Sequence, residues 1–585
     1  MTKTTVTEVN PNQFIPPGLE SALVSPAGLG LLACGAVIVM AKYIDAKGGK
    51  AKLATARWGG RAEKKAARKL ACKQMRERKH NRVALYVGTP KNTKVEVLKN
   101  KRITYIPEDQ KILYLPDVQR GVLVSGGAGS GKTFSMINPL ARSAIDQGLP
   151  LIVYDFKYCQ QESPTQSKGQ TPKLAGYAAE RGYKVTVLAP GFIESAIANP
   201  IDFLSSETDA EMARQLAIVL NRNFKLNSGD NDSGFFSNAG DQLAQAIFML
   251  VRATRYPDVM MCQAILGLPG LIERLQQAKL NIWVKQSFTQ FLSVAGSPET
   301  AASIAGTASG LFTRFMVPST LAAFCGKTNI PLDLKGRQMV VFGLDKEKRD
   351  VISPLLVSIL HLLVSRNVAK KRTEPLVLLL DELPTLYLPA LVDWLNQNRE
   401  DGLVSILGLQ NLSQLEEAYG EKITNAIFGG CATKALFNPQ DDVAAERFSK
   451  FLDKEEIKYK QRSRSSGGKG GASVSNSDQN NTRPLFEISQ FNTLPEGKAV
   501  IINPGFRSRG QIGLPILQKI NIPKYDEKAE LESLKAWYEI QKTLKENSSV
   551  VEPTDEEMEL RTLEAERLLP LADKYAKGIK KFKNL

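Results

Sequence analysis

The residues best placed to do chemistry fall in three short stretches. The first is Gly126-Gly127-Ala128-Gly129-Ser130-Gly131-Lys132-Thr133, behind the apolar run Gly121–Val124 and ahead of the helix-compatible FSMINPLARSAI. It fits the phosphate-binding pattern G-x-x-x-x-G-K-[ST]. Backbone N–H groups must converge on phosphate oxygens, glycines let the backbone come close, and the helix behind presents its N-terminal dipole to the anion. Lys132 would reach the β and γ phosphates, and the Thr133 hydroxyl would sit on Mg2+. Glycine-rich turns between a strand and a helix are common, but the full motif in this context favours nucleotide binding.

The second stretch, Pro375-Leu-Val-Leu-Leu-Leu-Asp381-Glu382, is a fully apolar strand ending in two carboxylates. Asp381 would hold Mg2+ directly or through water, and Glu382 would orient and polarise the attacking water. Such a pair alone is weak, since acids often cap helices; beside a phosphate loop it gains force. The third, GLVSILGLQ (402–410), ends in Gln410, whose amide suits a reader of the γ-phosphate or of the nucleophilic water. An ordinary strand-end turn residue is the alternative. ATP and Mg2+ are the expected ligands and ATP hydrolysis the expected reaction.

Elements that would position these groups alternate in type. Short strands (VALYVGT, ITYIPE, ILYLP) lead to the phosphate loop; buried strands LPLIVYDFK (149–157), KVTVLAP (184–190), RQMVVFGLD (337–345) and ATKALF (432–437) follow. The pattern predicts an α/β fold with a mostly parallel sheet, whose ligand crevice lies at the strand ends. Residues 206–330 have helical period throughout and are expected as an all-α domain inserted between 83–205 and 331–525. Residues 461–483, poor in apolar groups and rich in Gly, Ser and Asn, are expected as a flexible loop. Residues 526–585 read as a charged helical tail, a surface or partner-binding appendage.

Composition bounds the setting. The chain has 585 residues and a formal charge of +17, which points to nucleic acid, anionic lipid or both. Six scattered cysteines without a C-x-x-C pair argue against a zinc knuckle or a disulfide scaffold, and only two histidines, His80 and His361, are present. His361 lies in an apolar run and reads as a core helix residue. Residues 1–20 are polar and expected to be disordered. Residues 21–41 carry no charge and are long enough to cross a bilayer; a buried soluble helix is the alternative. The Lys- and Arg-rich segment 42–82 would hold its side of such a span in the cytoplasm. It would touch lipid headgroups or DNA phosphates, or be merely a solvated helix.

The order of these parts, with LVSGGAGSGKTFSMINPL, LLLDELPTL, SQLEEAYG (413–420), CATKALF and ARWGG (56–60), resembles the TraG/TraD-type coupling ATPases of bacterial type IV secretion and conjugation. The resemblance covers about 25–525. It implies a RecA-like P-loop NTPase, assembled as a homo-hexamer at the inner membrane. There ATP hydrolysis would be coupled to export of single-stranded DNA, a relaxase–DNA complex or protein through the secretion channel. It also implies that Arg399 is an arginine finger acting in a neighbouring subunit's site; from the residues alone, a surface helix-end arginine fits equally. Two features depart from many relatives: a single credible span, and Asp155-Phe156-Lys157-Tyr158 where a proline-lysine-glycine sequence usually follows the aspartate. Two other readings are a DNA pump of the FtsK or HerA kind and a membrane substrate receptor that binds nucleotide only to hold its shape.

Overall fold

The computed structural model describes residues 54–571 apart from 91–92, 98–102, 108, 160, 168, 229–234, 467–471 and 509. The expected disordered start (1–20), the expected span (21–41), the first part of the basic segment and the end of the tail lie outside the described residues.

Nine strands make the central sheet: β1 (Val122–Ser125), β2 (Leu151–Tyr158), β3 (Lys184–Leu188), β4 (Gln338–Asp345), β5 (Leu376–Leu380), β6 (Leu403–Leu409), β7 (Thr433–Leu436), β8 (Lys498–Ile502) and β9 (Ile516–Lys519). Their spatial order is β9-β8-β7-β1-β6-β5-β2-β4-β3. Every pairing from β7 to β3 is parallel, while β8 and β9 add an antiparallel edge. Parallel strands covered on both faces read as continuous apolar runs; β1, β5 and β6 are buried at every residue. The expected α/β class with a mostly parallel sheet is therefore what the chain forms.

Register decides the rest. Leu380 of β5 is level with Leu407 of β6, and Ser125 of β1 with Leu409 of β6. The three strands thus end at one edge, so the loop at Gly126, the acid pair at Asp381 and Gln410 emerge together.

Between β3 and β4, which are neighbours in the sheet, the described residues form helices and turns, from Ala210–Ser228 to Pro318–Leu321. This helical segment belongs to the same compact unit as the sheet. Its helix Ala210–Ser228 packs on Arg349–Val368, which lies against β4. Among the described residues Arg349–Val368 is the one helix long and apolar enough to cross a bilayer, and it is largely buried inside the protein. His361 sits on it in the core, stacked on Trp394 at 5.3 Å between ring centres.

The flexible loop expected at 461–483 is, among the described residues, a paired ribbon: Lys454–Ser466 pairs with Ala472–Pro484 in antiparallel register from Lys454↔Pro484 to Ser466↔Ala472. Low apolar content says that side chains are not buried; it does not stop backbone groups from pairing. This ribbon falls in a second compact unit with the segment ending at Ala56, whose N–H donates to Lys454 O at 3.3 Å.

The described part of the tail holds two helices, both packed on other elements of the chain. Helix Lys524–Glu546 packs on helix Thr171–Glu180. A Cβ at Gly176 would fall 2.0 Å from Ser533 O, so only glycine permits this crossing. Ser533 Oγ accepts from Tyr177 N at 2.8 Å and donates to Pro172 O at 2.7 Å. Helix Asp555–Leu568 packs on Val259–Leu266 and places Arg561 on buried Asp258, with Nε 2.9 Å from Oδ2. Its charge-rich sequence concealed this because the buried anchors are scattered among charges: Ser533, Leu534, Trp537 and Gln541 on the first helix, Arg561 and Ala565 on the second.

Candidate active site

The loop after β1 is pinned from three sides. Gly126 N donates to Leu409 O at 3.2 Å and Gly127 N to Asn438 O at 2.8 Å; Gly497 N donates to Ser130 O at 3.0 Å. Gln440 Nε2 adds a bond to Ala128 O at 3.0 Å. Glycine is required at particular positions. A Cβ at Gly126 would meet Phe437 Cβ and Ser130 Oγ at 2.6 Å, and Gly131 holds φ +85° with Gly497 N 3.0 Å from where a Cβ would stand. The N–H groups of Ala128, Gly129 and Gly131 form no hydrogen bond among the described residues. They are free to converge on an anion, as the motif demands.

The helix behind begins with a π turn, Thr133–Ile137, and continues as Asn138–Asp146. Pro139 has no N–H to give to Ser135, and the wider turn absorbs that loss.

Across the cleft, Thr133 Oγ1 donates to Asp381 Oδ2 at 3.0 Å. Asp381 Oδ1 is buried with no partner. Burial raises its carboxyl pKa to about 6, against the pull of Lys132. An orphaned carboxylate oxygen beside a threonine hydroxyl, at the foot of a loop of free amides, fits a hard divalent cation bridging to a phosphate. Glu382 holds a left-handed backbone, φ 72° and ψ 51°, which is strained for a side chain with a Cβ. Its Oε1 accepts from Lys132 Nζ at 3.0 Å and from Gln410 Nε2 at 2.8 Å.

Gly126 to Thr133, Asp381, Glu382 and Gln410 therefore share one place. Gly127 to Thr133 and the last three line a single cleft of 350 Å3. Arg399 does not join them. It stands before the start of β6, whereas Gln410 follows its end, roughly 23 Å away by strand rise. The chain's own Arg399 thus cannot serve its own cleft. Asp155 lines the cleft too, and its Oδ2 accepts from Thr171 N at 2.7 Å and Thr171 Oγ1 at 2.6 Å, tying β2 to the helix beyond. Lys157 lines the cleft and, with Lys132, favours ionised Asp381.

Sequence reasoning missed Lys173 and Glu496, which also line the cleft, and Gly408. A Cβ at Gly408 would lie 2.5 Å from Asp381 Oδ1 and 2.8 Å from Ile137 Cδ1. Its signal was present: a lone glycine inside an apolar strand marks close approach.

Residues 375–496 match the family model described as the TraM recognition site of TraD and TraG. The coupling protein TraD of Escherichia coli (strain K12) is 31% identical over 127 residues, which spans 21% of this chain and 18% of that protein. Solved structures of the bacterial conjugative coupling protein TrwB share the fold. TrwBdeltaN70 in an unbound form gives TM-score 0.51 at 17% identity, covering 70% of this chain and 87% of that one. TrwB with ADP and Mg2+ gives 0.51 at 16% identity, covering 72% and 87%. TrwB with the GTP analogue GDPNP gives 0.53 at 15% identity, covering 81% and 96%. The family model and the sequence relative both fall on TraG/TraD-type coupling proteins, and the fold is that of TrwB.

Proposed function

We propose that the chain is a membrane-anchored ATPase that couples ATP hydrolysis to delivery of DNA or nucleoprotein to a type IV secretion or conjugation channel. One observation carries the ATPase reading: Lys132, Thr133, Asp381, Glu382 and Gln410, which follow the ends of three neighbouring strands, are joined in one cleft by hydrogen bonds of Lys132 and Gln410 to Glu382 and of Thr133 to Asp381. The ADP and Mg2+ bound by TrwB, which shares the fold, support the same ligands here.

The residues take distinct parts. Amides of the loop and Lys132 hold the β and γ phosphates. Thr133 and Asp381 hold Mg2+, which when bound neutralises charge on the phosphate oxygens. Glu382 accepts the proton of the water that attacks the γ-phosphorus, and Gln410 orients Glu382 and that water. A scaffold that merely stored nucleotide would not need a strained carboxylate held by a lysine and an amide, which favours hydrolysis over the receptor reading.

By its resemblance to the coupling proteins the reading extends to single-stranded DNA or a relaxase–DNA complex as cargo, the channel as partner, an inner-membrane anchor through one span, and a homo-hexamer. In such a ring Arg399 would enter the neighbouring subunit's cleft. The test is ATP turnover by the full chain in detergent, with and without single-stranded DNA. Turnover stimulated by DNA and lost in Lys132→Ala is the expected result; turnover undiminished in Lys132→Ala would sink the reading.

A further inference from the structure

A second, strongly basic concavity shares none of its lining residues with the nucleotide cleft. It encloses 860 Å3 and is lined by Arg61, Lys64, Lys65 and Arg68 of helix Arg61–Glu77, and by Lys111. Residues spaced three, four and seven apart share one face of a helix, so the first four form a single cationic row. That row is held in place. The adjoining face buries Ala67, Ala71 and Met75, Gly60 N donates to Glu63 Oε2 at 2.7 Å, and Asp117 N donates to Gln74 Oε1 at 3.0 Å.

None of the five cations forms an ion pair among the described residues. Among the described residues Asp109 is the one acid in the lining, and its Oδ1 is engaged by the backbone N–H of Lys111. Lys64 is half-buried, and the loss of water lowers its ammonium pKa with no acid to offset it. Like charges set along one helix face oppose folding, and a half-buried cation without a partner adds to the cost. An arrangement that is costly when empty is relieved by an anion.

We propose that this concavity is a binding site for the phosphate-bearing headgroup of an anionic phospholipid. The proposal rests on the membrane anchoring read above, since the helix begins within about twenty residues of the expected span, where basic clusters meet anionic lipid. Single-stranded nucleic acid is disfavoured by the lining: of its three aromatic rings Tyr114 and Phe506 are only 3% and 0% exposed, which leaves the part-exposed Tyr525 alone where a single-strand groove stacks successive bases.

The test is native mass spectrometry of the full-length chain purified in non-ionic detergent, with phosphatidylglycerol or phosphatidylcholine added. Wild type is compared with Lys64→Gln/Arg68→Gln and with the equally charged control Lys370→Gln/Lys371→Gln. Wild type should retain phosphatidylglycerol over phosphatidylcholine. Removing two pocket charges should weaken that retention by roughly 25-fold, about fivefold per charge, and the control should not. Lys64→Arg should keep it, and unchanged ATP turnover in the double variant would show that it folds.

Equal retention by the pocket and control variants would overturn the proposal. So would displacement of the lipid by millimolar inorganic phosphate, which would make the site one for free anions, or by an oligothymidylate, which would make it a nucleic-acid site. Cell fractionation that found the chain soluble would sink the anchoring alone, because lipid retention by the purified protein is read independently.

Discussion

Lys132 Nζ lies 3.0 Å from Glu382 Oε1, a pair whose side chains are 8% and 11% exposed. The group that should grip the triphosphate is thus already bound to the group that should accept the proton of water. Arrival of a phosphate gives Lys132 a stronger partner and releases Glu382 to Gln410 and water, so loading the cleft also arms the base. Glu382→Gln should bind ATP at least as tightly as wild type, yet turn over about 100- to 10,000-fold more slowly. Equilibrium nucleotide binding and steady-state hydrolysis on the same preparation check both halves.

Gly408 is where β6, Asp381 and Ile137 come closest together. Gly408→Ala would push a methyl group against Asp381 Oδ1 and Ile137 Cδ1. A loss of about 1–3 kcal/mol of stability is expected from overpacking, together with weakened Mg2+ dependence of turnover. Chemical denaturation and a Mg2+ titration measure the two effects separately.

Arg399 and Gln410 stand at opposite ends of β6. If Arg399 works in a neighbour's cleft, Arg399→Ala and Lys132→Ala should each be inactive alone yet recover turnover when mixed. In the mixture an intact cleft can face an intact arginine across a subunit boundary. Recovery of no activity in mixtures that exchange subunits would remove the finger assignment.

Burial of His361 pulls its pKa down to about 4. The unfolded chain, with His near 6.5, then binds more protons than the folded chain between those two values. Stability should fall as pH drops from about 6.5 to 4, by roughly 3 kcal/mol from this group, and stay level above that window. Denaturation midpoints of wild type and His361→Leu, compared across pH 4–8, isolate this contribution from that of the carboxylates.

Arg561 and Asp258 are buried and paired across 303 residues of sequence. Arg561→Ala strands a buried carboxylate that also caps the helix beginning at Val259. A loss of about 3–5 kcal/mol is expected, partly recovered in the double variant with Asp258→Ala. A urea-melt double-mutant cycle reads the coupling.

What the sequence determined was local: a glycine-lysine-threonine turn, a strand ending in Asp381-Glu382, a strand ending in Gln410, and the alternation of apolar strands and helices. Each depends on residues close together in the chain, where spacing dictates backbone geometry. Tertiary structure decided which strand ends stand side by side, because pairing and register join segments hundreds of residues apart. It alone joined Lys132 to Glu382, set Gly408 under Asp381, and kept Arg399 from the cleft of its own chain. It also paired the backbone of Lys454–Ser466 with Ala472–Pro484, which composition had suggested was loop. And it docked the charged tail through Ser533, Trp537 and Arg561, since a few well-placed contacts can outweigh an exposed-looking average.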